Sequence, residues 1–220
     1  MMKYYEGRTR MTSFRDERGN RIEVEILSSV KGPETMDDPF SVVPGFFKLN
    51  PPKRELEREF VCKTEKSGEE LNWRVVPCDL ILPKLHEKLS PIVKREVDFA
   101  KVQIFETNRV LLAPVWRTFL PLYRPESEFD VREHYDEDRF KTTISGRYIE
   151  KIVHLWTPAF KREDIEGVNM ALVDDYLTTR IFSEKIKVLI ESLPKIQMEF
   201  KEVRIVEKDG TVTGPDFMFD

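Results

Sequence analysis

Apolar and polar residues alternate with a period of two along several stretches of the chain, which predicts strands. In Ile22–Ile26 the apolar residues alternate with Glu23 and Glu25. We therefore predict a half-buried strand with both glutamates facing solvent. Val97–Phe105 and Gly167–Phe182 are also rich in apolar and β-branched residues, and we interpret the first as one strand and the second as one or two.

Three stretches instead carry apolar residues at helical spacing. Pro83–Val97 predicts a helix with a kink or break at Pro91, because proline has no N–H to donate. Arg147–Trp156 predicts a second helix, and Ser183–Pro194 a third with its serine as N-cap. The predicted buried stripes are Leu85, Leu89, Ile92 and Val93 in the first helix, Ile149, Ile152, Val153 and Trp156 in the second, and Ile186, Leu189, Ile190 and Leu193 in the third.

The chain contains a candidate internal repeat. Shifted by 101 residues, Leu82–Phe119 falls on Ser183–Asp220 without a gap. Both copies have an apolar helical stripe, an F-x-x-V-x-I strand, a polar turn, and then a proline followed by an aromatic residue. The apolar positions change parity inside each strand, at 99–102 and at 200–203. Because successive side chains of a strand point to opposite faces, we predict a β-bulge or a corner at both places.

These elements together predict an α+β fold. We expect two related helix–strand halves with mixed or antiparallel sheets, covering residues 73–124 and 125–220. An N-terminal segment rich in strands covers residues 1–72, and the whole forms one compact chain. The three tryptophans have aliphatic neighbours and are predicted to lie in the core: Trp73, Trp116 and Trp156.

Composition narrows the class of protein. The 220 residues are 40% hydrophobic and 35% charged, with a net charge of −4, so the chain lacks the basic balance typical of nucleic-acid binding. The apolar run Val110–Tyr123 is too short to cross a membrane, which takes about 20 apolar residues. Cys62 and Cys78 are too few for a disulfide framework. No apolar segment of signal-peptide length opens the chain, and a soluble protein of the cytoplasm is the simplest interpretation.

The sequence contains no motif that would mark an enzyme of a common class. Glycine-rich phosphate-binding loops and the G-x-S-x-G elbow are both missing. His86 begins an "HEKLS" stretch without the second histidine that a zinc-protease helix needs. We therefore predict no catalytic residues, no metal and no cofactor.

One segment stands out by charge. Pro121–Phe140 holds seven acidic residues and three arginines, a net of −4. Three interpretations remain open: a solvated acidic loop, a face that docks a basic partner, or carboxylates for metal binding or catalysis within residues 133–138. For the docking face, rings would act as anchors and acids would steer the partner. The candidate partner-binding residues are Phe129, Asp130, Glu133, Tyr135, Asp136, Glu137 and Asp138.

The second half of the chain resembles a known pattern. Its serine-headed helix "SEKIKVLIE", its F-x-x-V-x-I strand and its D-G turn are similar to those of the myxobacterial-type immunity family of bacterial polymorphic-toxin systems. The matching residues are Ser183, Phe200, Val203, Ile205, Asp209 and Gly210. The resemblance is good over residues 146–210 and loose over 74–116.

The resemblance implies an antitoxin that binds and blocks a cognate protein toxin without doing chemistry. Lack of a signal peptide then implies a toxin that acts in the cytoplasm. Two alternatives remain open. One is a metal-dependent hydrolase that uses the carboxylates of 133–138, and the other is a structural module of a phage or secretion system.

Overall fold

The protein is richer in strands than the sequence pattern predicts. A computed structural model of the chain describes residues 2–9, 18–28, 30–32, 47–48, 50–66, 68–75, 78–105, 107–131, 142–144, 147–149, 152–174 and 176–215. Within these ranges most of the regular structure is β, arranged in several sheets with few helices. The predicted α+β fold with helix–strand halves is therefore wrong, because segments assigned to helix and loop pair as strands.

The strands follow one another along the whole described chain. They are β1 (Tyr4–Thr9), β2 (Ile26–Leu27), β3 (Phe60–Cys62), β4 (Thr64–Lys66), β5 (Trp73–Arg74), β6 (Leu80–Ile81), β7 (Val97–Ile104), β8 (Val110–Trp116), β9 (Phe119–Leu120), β10 (Glu128–Val131), β11 (Thr142–Ile144), β12 (Arg147–Ile149), β13 (Ile152–Thr157), β14 (Ala159–Lys161), β15 (Met170–Val173), β16 (Tyr176–Ser183), β17 (Met198–Glu202), β18 (Arg204–Val206) and β19 (Val212–Thr213). The α-helices are Pro83–Val93, Arg162–Ile165 and Glu184–Glu191, and the 3-10 helices are Lys53–Glu57 and Arg124–Glu126.

The chain forms two compact units, each built from separate stretches of sequence. The first unit contains Met1–Arg8, Thr118–Lys185 and Phe200–Asp220. The second unit contains Thr9–Arg117 and Ile186–Glu199. The chain changes from one unit to the other at four places: at the end of β1, between β8 and β9, within the helix Glu184–Glu191, and within β17.

The second unit is built on a five-stranded sheet with the order β3–β7–β8–β6–β5. Its centre is the antiparallel pair β7–β8, which runs from the pair Val97 and Trp116 to the pair Gln103 and Val110 without a register shift. β3 joins β7 in parallel, and β6 and β5 extend the other side antiparallel. The predicted core positions Trp73 and Trp116 are fully buried, as expected.

The parity change in β7 has a different cause from the one predicted. Ala100, Val102 and Ile104 face one core, and Val97 is buried as well. Phe99 is half-buried, and its ring meets the edge of His86 with the ring centroids 4.5 Å apart. His86 belongs to the helix Pro83–Val93, so that helix covers the second face of the strand at this end. The ladder is continuous, and the bulge predicted at 99–102 is wrong.

The helix Pro83–Val93 follows its predicted apolar stripe. Leu85, Leu89 and Val93 are fully buried. The predicted break at Pro91 is wrong, since the helix runs unbroken to Val93. Pro91 lies in the last turn, where the loss of one hydrogen bond leaves the preceding turns intact.

The first unit contains a five-stranded sheet with the order β17–β1–β16–β15–β9 and a three-stranded sheet with the order β14–β18–β19. The predicted strands in 167–182 are confirmed as β15 and β16. Val203 lies between β17 of one sheet and β18 of the other, and it is buried. The corner predicted at 200–203 is therefore confirmed, although its counterpart in β7 is absent.

One order of elements occurs twice along the chain. A hairpin, β5–β6 or β15–β16, is followed at once by a helix. Most of the second helix, from Ile186 onward, belongs to the second unit. The chain after that helix then pairs in parallel with an earlier strand, β7 with β3 and β18 with β14. One strand differs: β8 pairs with both β7 and β6 in the second unit, whereas β1, from the N-terminus, lies between β17 and β16 in the first.

The stretch 147–156 is not the predicted helix. It forms β12 and most of β13, which pair antiparallel with β11 and β10. The residues of "YIEKIVHLW" are largely aromatic or β-branched, and such side chains favour a pleated surface once a partner strand is present. Leu155 is buried, and the predicted stripe at helical spacing does not exist.

The N-terminal stretch 21–30 also departs from its predicted pattern. Only β2 is a strand there, and it pairs with β4. At the start of β2 the burial is the opposite of the predicted pattern: Glu25 is buried, whereas Ile26 is 48% exposed. The prediction that Glu25 faces solvent is wrong. Two arginines distant in the sequence, Arg74 and Arg109, donate hydrogen bonds to its carboxylate inside the second unit.

The carboxylate of Glu25 is the centre of a buried ion network. Arg74 donates from Nη2 to Glu25 Oε2 at 2.5 Å and from Nη1 to the Glu25 carbonyl at 2.8 Å. Arg109 donates to both Glu25 oxygens, at 2.6 and 3.1 Å, and pairs with Glu70 at 2.5 Å. Thr64 adds a hydroxyl at 3.3 Å. The network joins the N-terminal stretch, β4, β5 and the turn before β8.

Removing this carboxylate should strongly destabilise the second unit. We expect Glu25→Ala to lower the free energy of unfolding by about 3–5 kcal/mol, because it leaves the buried guanidinium of Arg74 without its anion. Urea unfolding followed by tryptophan fluorescence measures the change, since Trp73 and Trp116 are both buried in this unit. Glu23→Ala, at an exposed position two residues away, should change stability by less than about 0.5 kcal/mol. Equal effects of the two variants would contradict the assignment.

The same network predicts a defined dependence of stability on pH. Burial by itself raises the pKa of Glu25, but the hydrogen bond from Arg109 and the charges of Arg74 and Arg109 outweigh it and hold the pKa below 4.5. The stabilising contribution is therefore complete above the pKa of the unfolded chain and is lost as the pH falls through the lower, folded value. The stability difference between the native protein and Glu25→Gln should be constant above about pH 5 and shrink below about pH 4. A difference that stays constant down to pH 3 would refute this.

Candidate partner-binding surface

The structure describes part of the predicted acidic site. Phe129 and Asp130 lie in β10 of the first unit. Five other predicted residues, Glu133, Tyr135, Asp136, Glu137 and Asp138, lie outside the described residues. The described part shows that the acidic run continues directly from a strand paired with β13.

Phe129 is held in place by the first unit. Its half-buried ring packs against a core cluster that includes Leu155 and Leu122. The guanidinium of Arg124 lies over the ring at 5.9 Å from its centroid, a cation–π contact. Phe129 therefore packs β10, the strand that precedes residues 132–140 in the sequence, against the core of the first unit.

The register of β10 with β13 shifts at two places, between Glu128 and Phe129 and between Asp130 and Val131. At the first place Glu128 pairs with Thr157 and Phe129 with Leu155, so a bulge adds one residue, Trp156, to β13. Leu155 and Thr157 are both buried, whereas the side chain of Trp156 is 46% exposed. The prediction that Trp156 lies in the core is therefore wrong. Residues 155–157 thus follow the period-two alternation of an ordinary strand, with Trp156 on the outer face.

Side chains from two other strands tie down the backbone of the bulge. The carbonyl of Trp156 accepts hydrogen bonds from Arg8 Nη2 and, at 3.4 Å, from Lys201 Nζ. Lys201 also donates to the Thr157 hydroxyl at 3.3 Å, and that hydroxyl lies 3.3 Å from Glu128 Oε2. The bulge is thus bound to β1, β17 and β10 as well as to its own strand.

Nearby carboxylates balance these two cations. Arg8 forms an ion pair of 2.8 Å with the buried carboxylate of Glu6. Lys201 is connected through Thr157 to Glu128. The positive groups around the bulge are directed at backbone and carboxylate oxygens, so they do not form an exposed basic patch.

Sequence reasoning missed Trp156, Arg8 and Lys201. The helical interpretation of 147–156 placed the tryptophan on a buried stripe. The density of β-branched residues before Trp156 is the signal that points to a strand instead. Arg8 and Lys201 carry no local signal, because their role arises from strand pairing across about 150 and 45 residues.

The second unit carries a separate groove of about 460 Å³. Leu56, Phe60, Phe99 and Val110 supply its apolar lining. Glu57, Arg58, Glu59, Lys101 and Gln103 supply its polar lining. Arg58 pairs with Glu55 at 2.8 Å, and β3–β7 pairing places Glu59 next to Lys101. The two acidic and two basic side chains that line the groove balance one another, so the charge of the lining favours neither anionic nor cationic ligands.

Two kinds of reactive group can be assessed in the described part of the chain: metal ligands and thiols. Within the described ranges no three His, Cys, Asp or Glu side chains come together to hold a metal ion. Cys62 and Cys78 are buried and form no disulfide among the described residues, and burial raises the pKa of the Cys62 thiol to about 11. Such a thiol stays protonated at neutral pH and is a poor nucleophile. The carboxylates of 133–138, the alternative catalytic group, lie outside the described residues.

Comparison with known proteins assigns no family. No protein-family model matches the chain, and no curated protein matches it either. Among the described residues, no helix combines the length and the apolar character needed to cross a membrane. The resemblance to the immunity family remains a prediction.

Proposed function

We propose that the protein is an immunity protein that binds and neutralises a basic protein toxin in the cytoplasm, and that it performs no chemistry. The single observation that supports this most is the packing of Phe129, in the strand β10, on the core of the first unit. In the sequence β10 is followed directly by residues 132–140, a run of acids with aromatic residues among them. Acids of this kind accelerate encounter with a basic partner, and rings supply the contact area.

The sequence resemblance supplies the class of partner, and the fold supplies a compatible scaffold. The described part of the candidate surface, Phe129 and Asp130, lies in a two-stranded antiparallel sheet, β10–β13. Binding surfaces on rigid elements lose less conformational entropy on association than those on free loops. Tight neutralisation of a toxin benefits from such pre-organisation.

The deciding experiment uses the product of the reading frame next to this gene. Expressed alone in a bacterial host, that product should stop growth, and co-expression of this chain should restore it. The two purified proteins should also form a 1:1 complex, seen by light scattering. Failure of the chain to bind the neighbouring product and to restore growth would overturn the proposal. A melting temperature that rises with a divalent metal ion would instead favour the hydrolase.

Charge reversal tests the role of the acidic segment. In the variant Asp136→Lys, Glu137→Lys, Asp138→Lys, we expect association with the toxin to slow by about 10- to 100-fold at low salt. The dependence of the association rate on ionic strength should flatten, because steering is electrostatic. Stopped-flow fluorescence at several salt concentrations measures both quantities.

A matched control carries the same change in net charge at exposed glutamates elsewhere, Glu87→Lys, Glu163→Lys, Glu199→Lys. Its association rate should stay within about threefold of the native value, because the reversed charges lie outside the segment. Equal slowing in both variants would show that net charge alone matters. The acidic segment would then be only a solvated loop.

A further inference from the structure

A mostly irregular stretch of chain covers one edge of the sheet in the second unit. β3 is an edge strand of that sheet and has β7 on its inner side. On its outer side Val61 exchanges two backbone hydrogen bonds of 2.8 Å with Lys31. Further along, the N–H of Ser28 donates to the Lys63 carbonyl at 2.8 Å. We call residues 23–28 and Lys31 the edge cover.

The edge cover is held at a few points rather than by a continuous ladder. Within it only β2 is a regular strand, and the pairing of β2 with β4 shifts register between Ile26 and Leu27. The side chain of Leu27 is buried, and Glu25 forms ion pairs with Arg74 and Arg109. The ion pairs therefore act as a latch, and their loss removes one of the few attachments of the cover.

Gly68 marks a close approach between the edge cover and the chain that it covers. A Cβ atom at this position would lie 2.7 Å from the carbonyl oxygen of Glu23. Glycine fits here because it has no side chain. A larger residue at position 68 would push the cover outward, while the ion pairs of Glu25 would keep all their charged groups.

Without the edge cover, β3 would present free backbone groups to solvent. Free N–H and C=O groups along a sheet edge are a template for pairing with another chain. The N–H and the C=O of Val61 both point away from β7, since Lys31 bonds with both in the covered state. Antiparallel pairing about a two-fold axis would let two copies of the chain exchange the same two bonds between their Val61 residues.

The side chains that flank Val61 are complementary to themselves in such a pair. Antiparallel pairing centred on Val61 places Glu59 of one copy opposite Lys63 of the other, and symmetry makes this contact twice. Both side chains are exposed in the covered state, and the Lys63 ammonium also lies over the Phe105 ring at 5.2 Å. Opposite charges directly across an antiparallel pair are stabilising. The charge pattern therefore favours a second copy of this chain at the uncovered edge.

We propose that the edge cover keeps the chain monomeric by occupying the place that β3 of a second copy would take, and that Glu25 is the latch of the cover. The contact is autoinhibitory, because Lys31 takes the hydrogen bonds that Val61 of the second copy would otherwise make. This inference concerns self-association and does not depend on the immunity role.

Sedimentation velocity of the full-length protein tests the latch. We expect the native chain to be monomeric at about 100 µM, and Glu25→Ala to form dimers at least about 100-fold more tightly, because only the uncovered fraction dimerises. Gly68→Ala should also dimerise, and it opens the edge by a second route should Glu25→Ala fail to fold. The control Leu89→Ala destabilises the same unit at a fully buried side chain and should stay monomeric. Circular dichroism confirms that each variant is folded.

Second substitutions in an open variant locate the contact. Val61→Pro removes the N–H that points outward and no bond to β7, so it should return the dimer to monomer. Lys63→Glu places like charges opposite one another and should weaken the dimer by about 10-fold. The exchange Glu59→Lys with Lys63→Glu restores opposite charges and should restore the dimer.

Three results would reject the proposal. The first is that Glu25→Ala and Gly68→Ala, both folded, remain monomeric at about 100 µM. The second is a dimer that survives Val61→Pro, which would place the contact away from β3. The third is a dimer of Leu89→Ala as tight as that of Glu25→Ala, which would show that any destabilisation of the unit causes association.

Discussion

The buried carboxylate of Glu25 organises the second unit, because it joins parts of the chain that local pairing leaves apart. Arg74 lies at the edge of the five-stranded sheet in β5, and Arg109 precedes β8. Glu25 binds both, so an otherwise irregular N-terminal stretch is fixed to the sheet. A buried ion pair adds little net stability over apolar residues of similar size. Its contribution is to the specificity of the fold. If the N-terminal stretch packed in any other position, a buried charge would be left unpaired.

The same constraint explains why the apolar pattern of that stretch misleads. Period-two alternation places Ile26 inside, yet the charges on Arg74 and Arg109 draw Glu25 inward and leave Ile26 exposed. The cost of an unpaired buried guanidinium exceeds the gain from burying one isoleucine. Among the residues that the structure describes, none accepts a hydrogen bond from the Nε of Arg74, so the described network does not use every donor of that guanidinium.

The first unit uses backbone irregularities where the second uses charge. The corner at Val203 moves the chain from one sheet to another, and the bulge at Trp156 adds one residue to β13 relative to β10. Both leave their strands well anchored, since Val203 and Leu155 are buried. The proposed partner-binding surface begins in β10, where Phe129 packs on the core of the first unit.

Local patterns determined the elements whose burial depends on neighbours in sequence. The helices beginning at Pro83 and Glu184, the strands β7, β15 and β16, and the corner at 200–203 all follow from the spacing of apolar residues and prolines. The sequence alone also shows the acidic composition of residues 121–140 and the absence of common catalytic motifs.

Only the tertiary structure decided the fates of Glu25, Phe99 and Trp156, because each depends on a partner distant in sequence. Glu25 is buried with two arginines, Phe99 is covered by the helix that precedes its strand, and Trp156 is exposed because β13 turns Leu155 and Thr157 to the buried face. In a single strand the side chains alternate and nothing more. The elements that pack against the strand decide which of its faces is covered and which cross-strand neighbour each residue has.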